Sequence, residues 1–205
     1  MCSKKTLRLG VFALKNLNMT KRPAIFVDRD GTLIEEVNYL SRVEDLRIFP
    51  FTASALKLLK DNGFLIIVVT NQSGIAREVY TEAAMHGIHD QIQADLGGAI
   101  DAFYFCPHLP DAGCPCRKPN LGMIEAACAN FDIDLERSWV IGDKDLDVKL
   151  GQKARIGTVL VMTGYGSKHK PFLEFDPEIF ADDLGQAATR IVEIKSSAAV
   201  ACREP

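Results

Sequence analysis

The chain has 205 residues, 47% of them apolar and 25% charged, with a net charge of −3. That is the size and composition of one globular α/β domain with a sizeable core. The charge gives no reason to expect nucleic acid or an anionic membrane as partner, and no apolar run approaches the eighteen or so residues that cross a bilayer.

Residues 1–22 carry bases and no acid. Leu9–Leu14 is too short and too soon interrupted by Lys15 for a signal peptide, and no Ala-x-Ala site follows. We read this stretch as an N-terminal arm, with Met19 as a second candidate start, and expect a cytoplasmic protein. Ile25-Phe26-Val27 then runs straight into Asp28-Arg29-Asp30-Gly31-Thr32-Leu33, which predicts a buried parallel strand with two carboxylates at its carboxyl end. Residues 34–49 read as a loop or hairpin-like segment. Leu56 and Leu59 give a helical stripe from Thr52 to Asn62, closed by Gly63. A second buried strand, Leu65–Val69, ends in Thr70-Asn71-Gln72-Ser73-Gly74. Thr81 caps the next helix, whose inner face is Met85, Ile88, Ile92 and Leu96. Ala102–Phe105 is a third strand leading into a Cys/His segment. A helix over Leu121–Asn130, a short strand Trp139–Ile141, a helix over Asp145–Ala154 and a last strand Thr158–Val161 follow, with one more amphipathic helix near Leu184, Ala188, Ile191 and Ile194. This alternation predicts an α/β fold, a mostly parallel sheet with helices on both faces. The segment between Leu33 and the second strand leaves no room for a large inserted cap.

The polar clusters all follow strands, where ligands bind in open α/β sheets. Asp28 and Asp30 project the same way from extended chain and can bind Mg²⁺, one as nucleophile toward phosphorus and one as proton donor; a strand ending in a polar turn is the plainer reading. Thr70 and Asn71 offer donors to a phosphoryl oxygen, or alternatively a turn cap. Lys118 would supply fixed positive charge between Asp28 and phosphate. Asp143 is the third carboxylate for Mg²⁺, while Asp145 and Asp147 also suit a helix N-terminus. Of the six cysteines, Cys106, Cys114 and Cys116 crowd beside His108. That donor set suits a closed tetrahedral Zn²⁺ site of structural type, which would fix Arg117 and Lys118 over the cleft.

In combination, Asp28-Arg29-Asp30-Gly31-Thr32, Thr70, Lys118 and Gly142-Asp143-x-x-x-Asp147 resemble, in order and spacing, the four signatures of the haloacid-dehalogenase-like (HAD) phosphatases. The resemblance covers roughly residues 23–166 and implies a Rossmann-like HAD fold. It implies that Asp28 forms an aspartyl-phosphate, Asp30 acts as general acid and base, and Asp28, Asp143 and the Asp30 carbonyl hold Mg²⁺. The zinc loop and missing cap are similar to two groups within it, the heptose-bisphosphate and the histidinol-phosphate phosphatases. The chain most resembles the former, in Asp28-Arg-Asp-Gly-Thr, Thr70-Asn-Gln-Ser-Gly-Ile-Ala-Arg77, Cys106-Pro-His108, Cys116-Arg-Lys-Pro and Gly142-Asp143-Lys144, and Gly74-Ile-Ala-Arg77 favours it over the latter. On that reading Asn71, Arg77, Arg117 and Lys144 contact substrate, the arginines gripping the phosphate that is not transferred. The implied reaction removes the C7 phosphate of D-glycero-D-manno-heptose 1,7-bisphosphate during nucleotide-activated heptose synthesis. A catalytically silent, zinc-stabilised binding module is the alternative from another class. The expected organisation is an arm over 1–22, one phosphatase domain over 23–196 and a tail over 197–205, in a monomer whose partner is a phosphorylated sugar.

Overall fold

The computed structural model describes residues 21–201, with side chains through residue 197. Most of the expected N-terminal arm and residues 202–205 of the tail lie outside the described residues. Six strands form one sheet in the order β3-β2-β1-β4-β5-β6. They are β1 (Arg22–Val27), β2 (Leu65–Asn71), β3 (Ala102–Cys106), β4 (Ile133–Gly142), β5 (Gly157–Val161) and β6 (Ile179–Ala181). Every pairing between them is parallel.

The helices are α1 (Thr52–Asp61), α2 (Glu82–Asp95), α3 (Gly122–Asn130), α4 (Asp145–Ala154), the single turn α5 (Gly166–His169) and α6 (Leu184–Ala201). Strand residues alternate between the two faces of the sheet, and both faces are covered. Ile25, Val27, Ile66 and Val68 pack with Leu56 and Leu59 of α1, Ile88 and Ile92 of α2, and Ala188 and Ile191 of α6. Ala24, Phe26, Ile67 and Val69 pack on the opposite face with Met123, Ile124 and Ala127 of α3 and Leu150 of α4. Burial on both faces is why these strands read as continuous apolar runs rather than alternating ones. Each fully buried large aliphatic side chain contributes about 1.5–3 kcal/mol relative to exposure.

Local signals held where the backbone chemistry is strong. Thr81 accepts a hydrogen bond from the Ala84 amide at 3.1 Å and starts α2. After α1, Gly63 takes φ +81°, and Phe64 N donates to Leu59 O at 3.1 Å, closing the helix with a Schellman-type bond.

Four expectations are corrected. Thr158–Val161 is not the last strand: β6 adds a sixth, too short at three residues for any periodicity to show. β4 is ten residues rather than the short Trp139–Ile141 run; its register on β1 shifts between Pro23 and Ile25, and the charged stretch Asp134–Arg137 at the irregularity hides the strand. β2 continues through Asn71, so Thr70 and Asn71 are its last residues rather than a following loop. Helical turns over residues 166–172 follow β5 where none was expected. The segment after Leu33 is a loop tied by an isolated Ile34–Ile48 antiparallel bridge, with no inserted domain. Among the described residues no helix is long and apolar enough to cross a membrane.

Candidate active site and metal centres

Strand order reverses between β1 and β4, so their carboxyl ends frame a crevice. Asp28 leaves β1 and Asp143 leaves β4 at this point. Together with Asp147 in the first turn of α4, their carboxylates lie within 4.8 Å of one another, all buried. Lys118 is buried between two of them, its ammonium 2.9 Å from Asp28 Oδ1 and 2.7 Å from Asp147 Oδ1. Asp28 Oδ1 also accepts from the Arg29 amide at 2.8 Å. Burial alone would raise the Asp28 pKa, but Lys118, Lys144 and these bonds outweigh it and hold the carboxyl below its ordinary value. The Lys118 pKa, by contrast, is raised: burial alone would lower it, but Asp147 and Asp28 outweigh that desolvation.

Two glycines make the space for Asp143. Gly31 takes φ +84° and Gly164 φ +54°, and a Cβ on either would fall 2.2 Å from Asp143 Oδ2. Thr163 Oγ1 donates to Gly31 O at 2.6 Å and ties the two loops together. Asp143 Oδ2 accepts from the Tyr165 amide at 2.8 Å. Asp143 Oδ1 is buried with no hydrogen-bond partner; Lys144 Nζ lies 3.3 Å away without hydrogen-bond geometry. Burial, then the Asp28 charge, push the Asp143 pKa up to about 7.

This arrangement fits a hard divalent cation. The carboxylates of Asp28, Asp30, Glu36, Asp143 and Asp147 face the cations Arg29, Lys118 and Lys144, leaving an excess of negative charge. The orphaned Asp143 oxygen is the atom such an ion would satisfy.

Thr70 is buried at the end of β2, and its Oγ1 accepts from Gln72 Nε2 at 2.8 Å. The Asn71 side chain is engaged at both ends by the backbone of Lys118, receiving from its N at 3.0 Å and donating to its O at 3.3 Å. It lines the cleft, yet its amide serves to hold Lys118 in place. Lys144 reaches Glu36 Oε2 at 3.3 Å and stands 5.0 Å over the Tyr165 ring.

Neither Arg77 nor Arg117 lines the cleft itself. Arg77 is exposed on the turn after β2 and is not among the residues lining the cleft. Arg117 lines an adjoining depression with Cys114, Lys118 and Leu146, and donates to His108 O at 3.1 Å. Lys118 and Leu146 border both depressions.

Asp30 differs from its neighbours. It is outside the three-carboxylate cluster, and both of its oxygens are bonded by Arg29. Sequence reasoning passed over Arg29, Gln72, Tyr80, His89, Glu36 and Tyr165. An Arg between two strand-end aspartates carries no sign that it will be buried, and Gln72 stood inside a polar triplet read for its Thr and Asn.

On the far side of Lys118, Cys106, His108, Cys114 and Cys116 converge. Their sulfur–sulfur and sulfur–Nδ1 separations are 3.3–3.6 Å, far longer than a disulfide. Tetrahedral edges built from Zn–S near 2.3 Å and Zn–N near 2.0–2.1 Å are roughly 3.5–3.8 Å, so the four donors fit one ion. Cys106 ends β3, and the next residues return the chain from the cluster to Lys118, so the cluster and the active-site lysine share one loop.

Comparison with known proteins agrees with this geometry. A family profile described as HAD-hydrolase-like matches residues 115–187. The D-glycero-D-manno-heptose-1,7-bisphosphate 7-phosphatase of Thermosynechococcus vestitus is 40% identical over 186 residues, 81% of this chain and 93% of that protein. The D-glycero-beta-D-manno-heptose-1,7-bisphosphate 7-phosphatase of Escherichia coli K12 is 39% identical over 69% of this chain and 80% of its own length. The crystal structure of D,D-heptose 1,7-bisphosphate phosphatase from B. bronchiseptica, complexed with magnesium and phosphate, superposes with a TM-score of 0.77 at 28% identity, covering 83% of this chain and 99% of that one. The chain therefore belongs to the HAD-like hydrolases, as a phosphoric monoester hydrolase related to the heptose-bisphosphate phosphatases.

Proposed function

We propose that this chain hydrolyses the C7 phosphate of D-glycero-D-manno-heptose 1,7-bisphosphate in the cytoplasm, through an aspartyl-phosphate on Asp28. The observation that carries the chemistry is the state of Asp28: a carboxylate held ionised by Lys118, with Oδ1 engaged by two donors and Oδ2 left to attack. The phosphorus–oxygen bond to the sugar breaks as the Asp28–phosphorus bond forms. Asp30 gives its proton to the departing alkoxide, then takes one from the water that cleaves the aspartyl-phosphate, returning both aspartates to their starting states. Lys118 and the Thr70 hydroxyl hold the phosphoryl oxygens. Asp28, Asp143 and the Asp30 carbonyl would hold Mg²⁺, which when bound neutralises charge on the transferring phosphoryl group. Zn²⁺ at Cys106, His108, Cys114 and Cys116 would have no open coordination position, so its role is to fix the loop carrying Lys118.

The sugar's second phosphate would meet Lys144 at the cleft wall and Arg117 in the adjoining depression. That pairing, and the 40% identical relative, support a bisphosphate substrate. The test is phosphate release with Mg²⁺ from heptose 1,7-bisphosphate and from histidinol phosphate, with ³¹P NMR of the sugar product. A higher kcat/KM on histidinol phosphate, or loss of the C1 phosphate first, would overturn the assignment.

A further inference from the structure

Arg29 follows the nucleophile directly, is 1% exposed and is among the largest fully buried side chains. A guanidinium there loses its hydration, so its donors must be met by protein. Four of its five N–H groups are. Nε donates to Asp30 Oδ2 at 3.0 Å, and Nη2 to Asp30 Oδ1 at 2.9 Å and to Gln72 Oε1 at 3.0 Å. Nη1 reaches His89 Nε2 at 3.3 Å. An arginine can only donate, so this His89 nitrogen is the acceptor and the ring is neutral. The ring stacks on Phe103 at 4.4 Å, which fixes its plane.

Gln72 is the second member. Its Oε1 faces two donors, Arg29 Nη2 and the Tyr80 hydroxyl at 2.5 Å, which fixes the orientation of the amide. Its NH₂ therefore donates outward, to Asp30 Oδ2 at 2.9 Å and to Thr70 Oγ1 at 2.8 Å. With Thr70 Oγ1 already accepting, the hydroxyl proton of Thr70 is free to be donated into the cleft. One buried amide thus joins the carboxyl that handles the leaving-group proton to the hydroxyl that meets the phosphoryl group.

We propose that Arg29 and Gln72 are a positioning pair for phosphoryl transfer: Arg29 forks onto the Asp30 carboxyl and sets its direction, and Gln72 keeps Asp30 and Thr70 in register. Both side chains act through the Asp30 carboxyl, and neither is assigned a contact with the phosphorus or the leaving oxygen. This rests on the proposed roles of Asp28 and Asp30. The arrangement is stronger than a surface ion pair, because a bidentate guanidinium–carboxylate contact restricts both distance and plane, and proton transfer needs heavy atoms at hydrogen-bond reach of the leaving oxygen.

The discriminating measurement is dependence on the leaving group. An alkyl phosphate needs the Asp30 proton as its oxygen departs, whereas p-nitrophenolate departs from p-nitrophenyl phosphate without help. In Arg29→Met and Gln72→Leu, kcat/KM on an alkyl phosphate should fall about 100-fold, within the range general acid catalysis supplies. On p-nitrophenyl phosphate the loss should stay under about 10-fold. Arg29→Lys, which keeps the charge but cannot fork, should fall between wild type and Arg29→Met. Circular dichroism melts check each variant, and Gln72→Leu carries the test if Arg29→Met does not fold. Equal losses on both substrates, or no loss on either, would overturn the positioning role. Asp30→Asn is measured alongside: if it shows no preference for the activated ester, it is the proposed role of Asp30 that fails, irrespective of Arg29.

Discussion

Lys118→Met removes the one ammonium that lies between Asp28 and Asp147, both within 2.9 Å of it. The lysine is 3% exposed, and the two carboxyl groups are 6% and 1% exposed, so water cannot replace it. Removing one partner of a buried ion pair typically costs about 3–5 kcal/mol, because the remaining charge is left uncompensated. For a chain of this size each kcal/mol moves Tm by about 2–4 °C, so a drop of roughly 6–20 °C is expected at neutral pH. The loss should depend on pH with a definite sign. In the wild type the Asp28 pKa is depressed, so its stabilisation is in place above about pH 4 and is lost as pH falls through the depressed value. Lys118 is raised, so its contribution is complete below about pH 10 and disappears above that. Without the ammonium, burial dominates and the Asp28 pKa rises; the variant then loses stability as pH climbs above about 4. The gap in Tm should therefore be widest near pH 8 and close toward pH 5. Melts of protein freed of Mg²⁺ by dialysis without chelator, at several pH values, measure it. A variant as stable as wild type at pH 8, or a gap that does not change with pH, would refute the electrostatic account of this site.

Asp28→Asn should reduce turnover below detection while the melt remains cooperative, since an amide cannot accept the phosphoryl group; steady-state phosphate release checks this. The purified protein should carry about one Zn²⁺ per chain, independent of added Mg²⁺, and Cys114→Ala with Cys116→Ala should lose that metal and most activity through the loop that carries Lys118; elemental analysis beside kinetics tests both. Arg117→Ala should lower kcat/KM on the sugar bisphosphate by roughly ten- to a hundred-fold and affect a monophosphate of similar size far less, the worth of a charge-assisted contact to the second phosphate. Arg77→Ala, exposed and away from the cleft lining, should change neither substrate by more than about two-fold.

The chemistry was legible because it is local. Asp28-x-Asp30-Gly31 requires a buried strand to deliver carboxylates at its end, and period-2 packing on both faces makes that strand an unbroken apolar run. The same holds for Thr81 and Gly63, whose roles are set by backbone geometry within a few residues. The Cys/His cluster is equally local: its four donors span Cys106 to Cys116 and need no distant chain to meet. β6 was hidden because three residues carry no period, and its place beside β5 is decided by long-range pairing alone.

By itself, then, the sequence determined which strand ends carry acid, hydroxyl and cation, because those residues are bound to short, strongly patterned elements. Tertiary structure decided which of these groups meet. Asp147 could be a helix-capping charge or a partner of Lys118; it is both, its Oδ2 accepting from Lys144 N and its Oδ1 from Lys118, since the α4 N-terminus is folded against the β3–α3 loop. Asn71 could face substrate, but the loop carrying Lys118 comes close enough to engage its amide at both ends. Arg29 could have been solvated like most arginines; it is buried because Asp30, Gln72 and His89, the last two more than forty residues away in sequence, converge to satisfy its donors. A fork of donors has no local periodicity to betray its partners, and its burial is decided by whether acceptors from other strands arrive within hydrogen-bond reach.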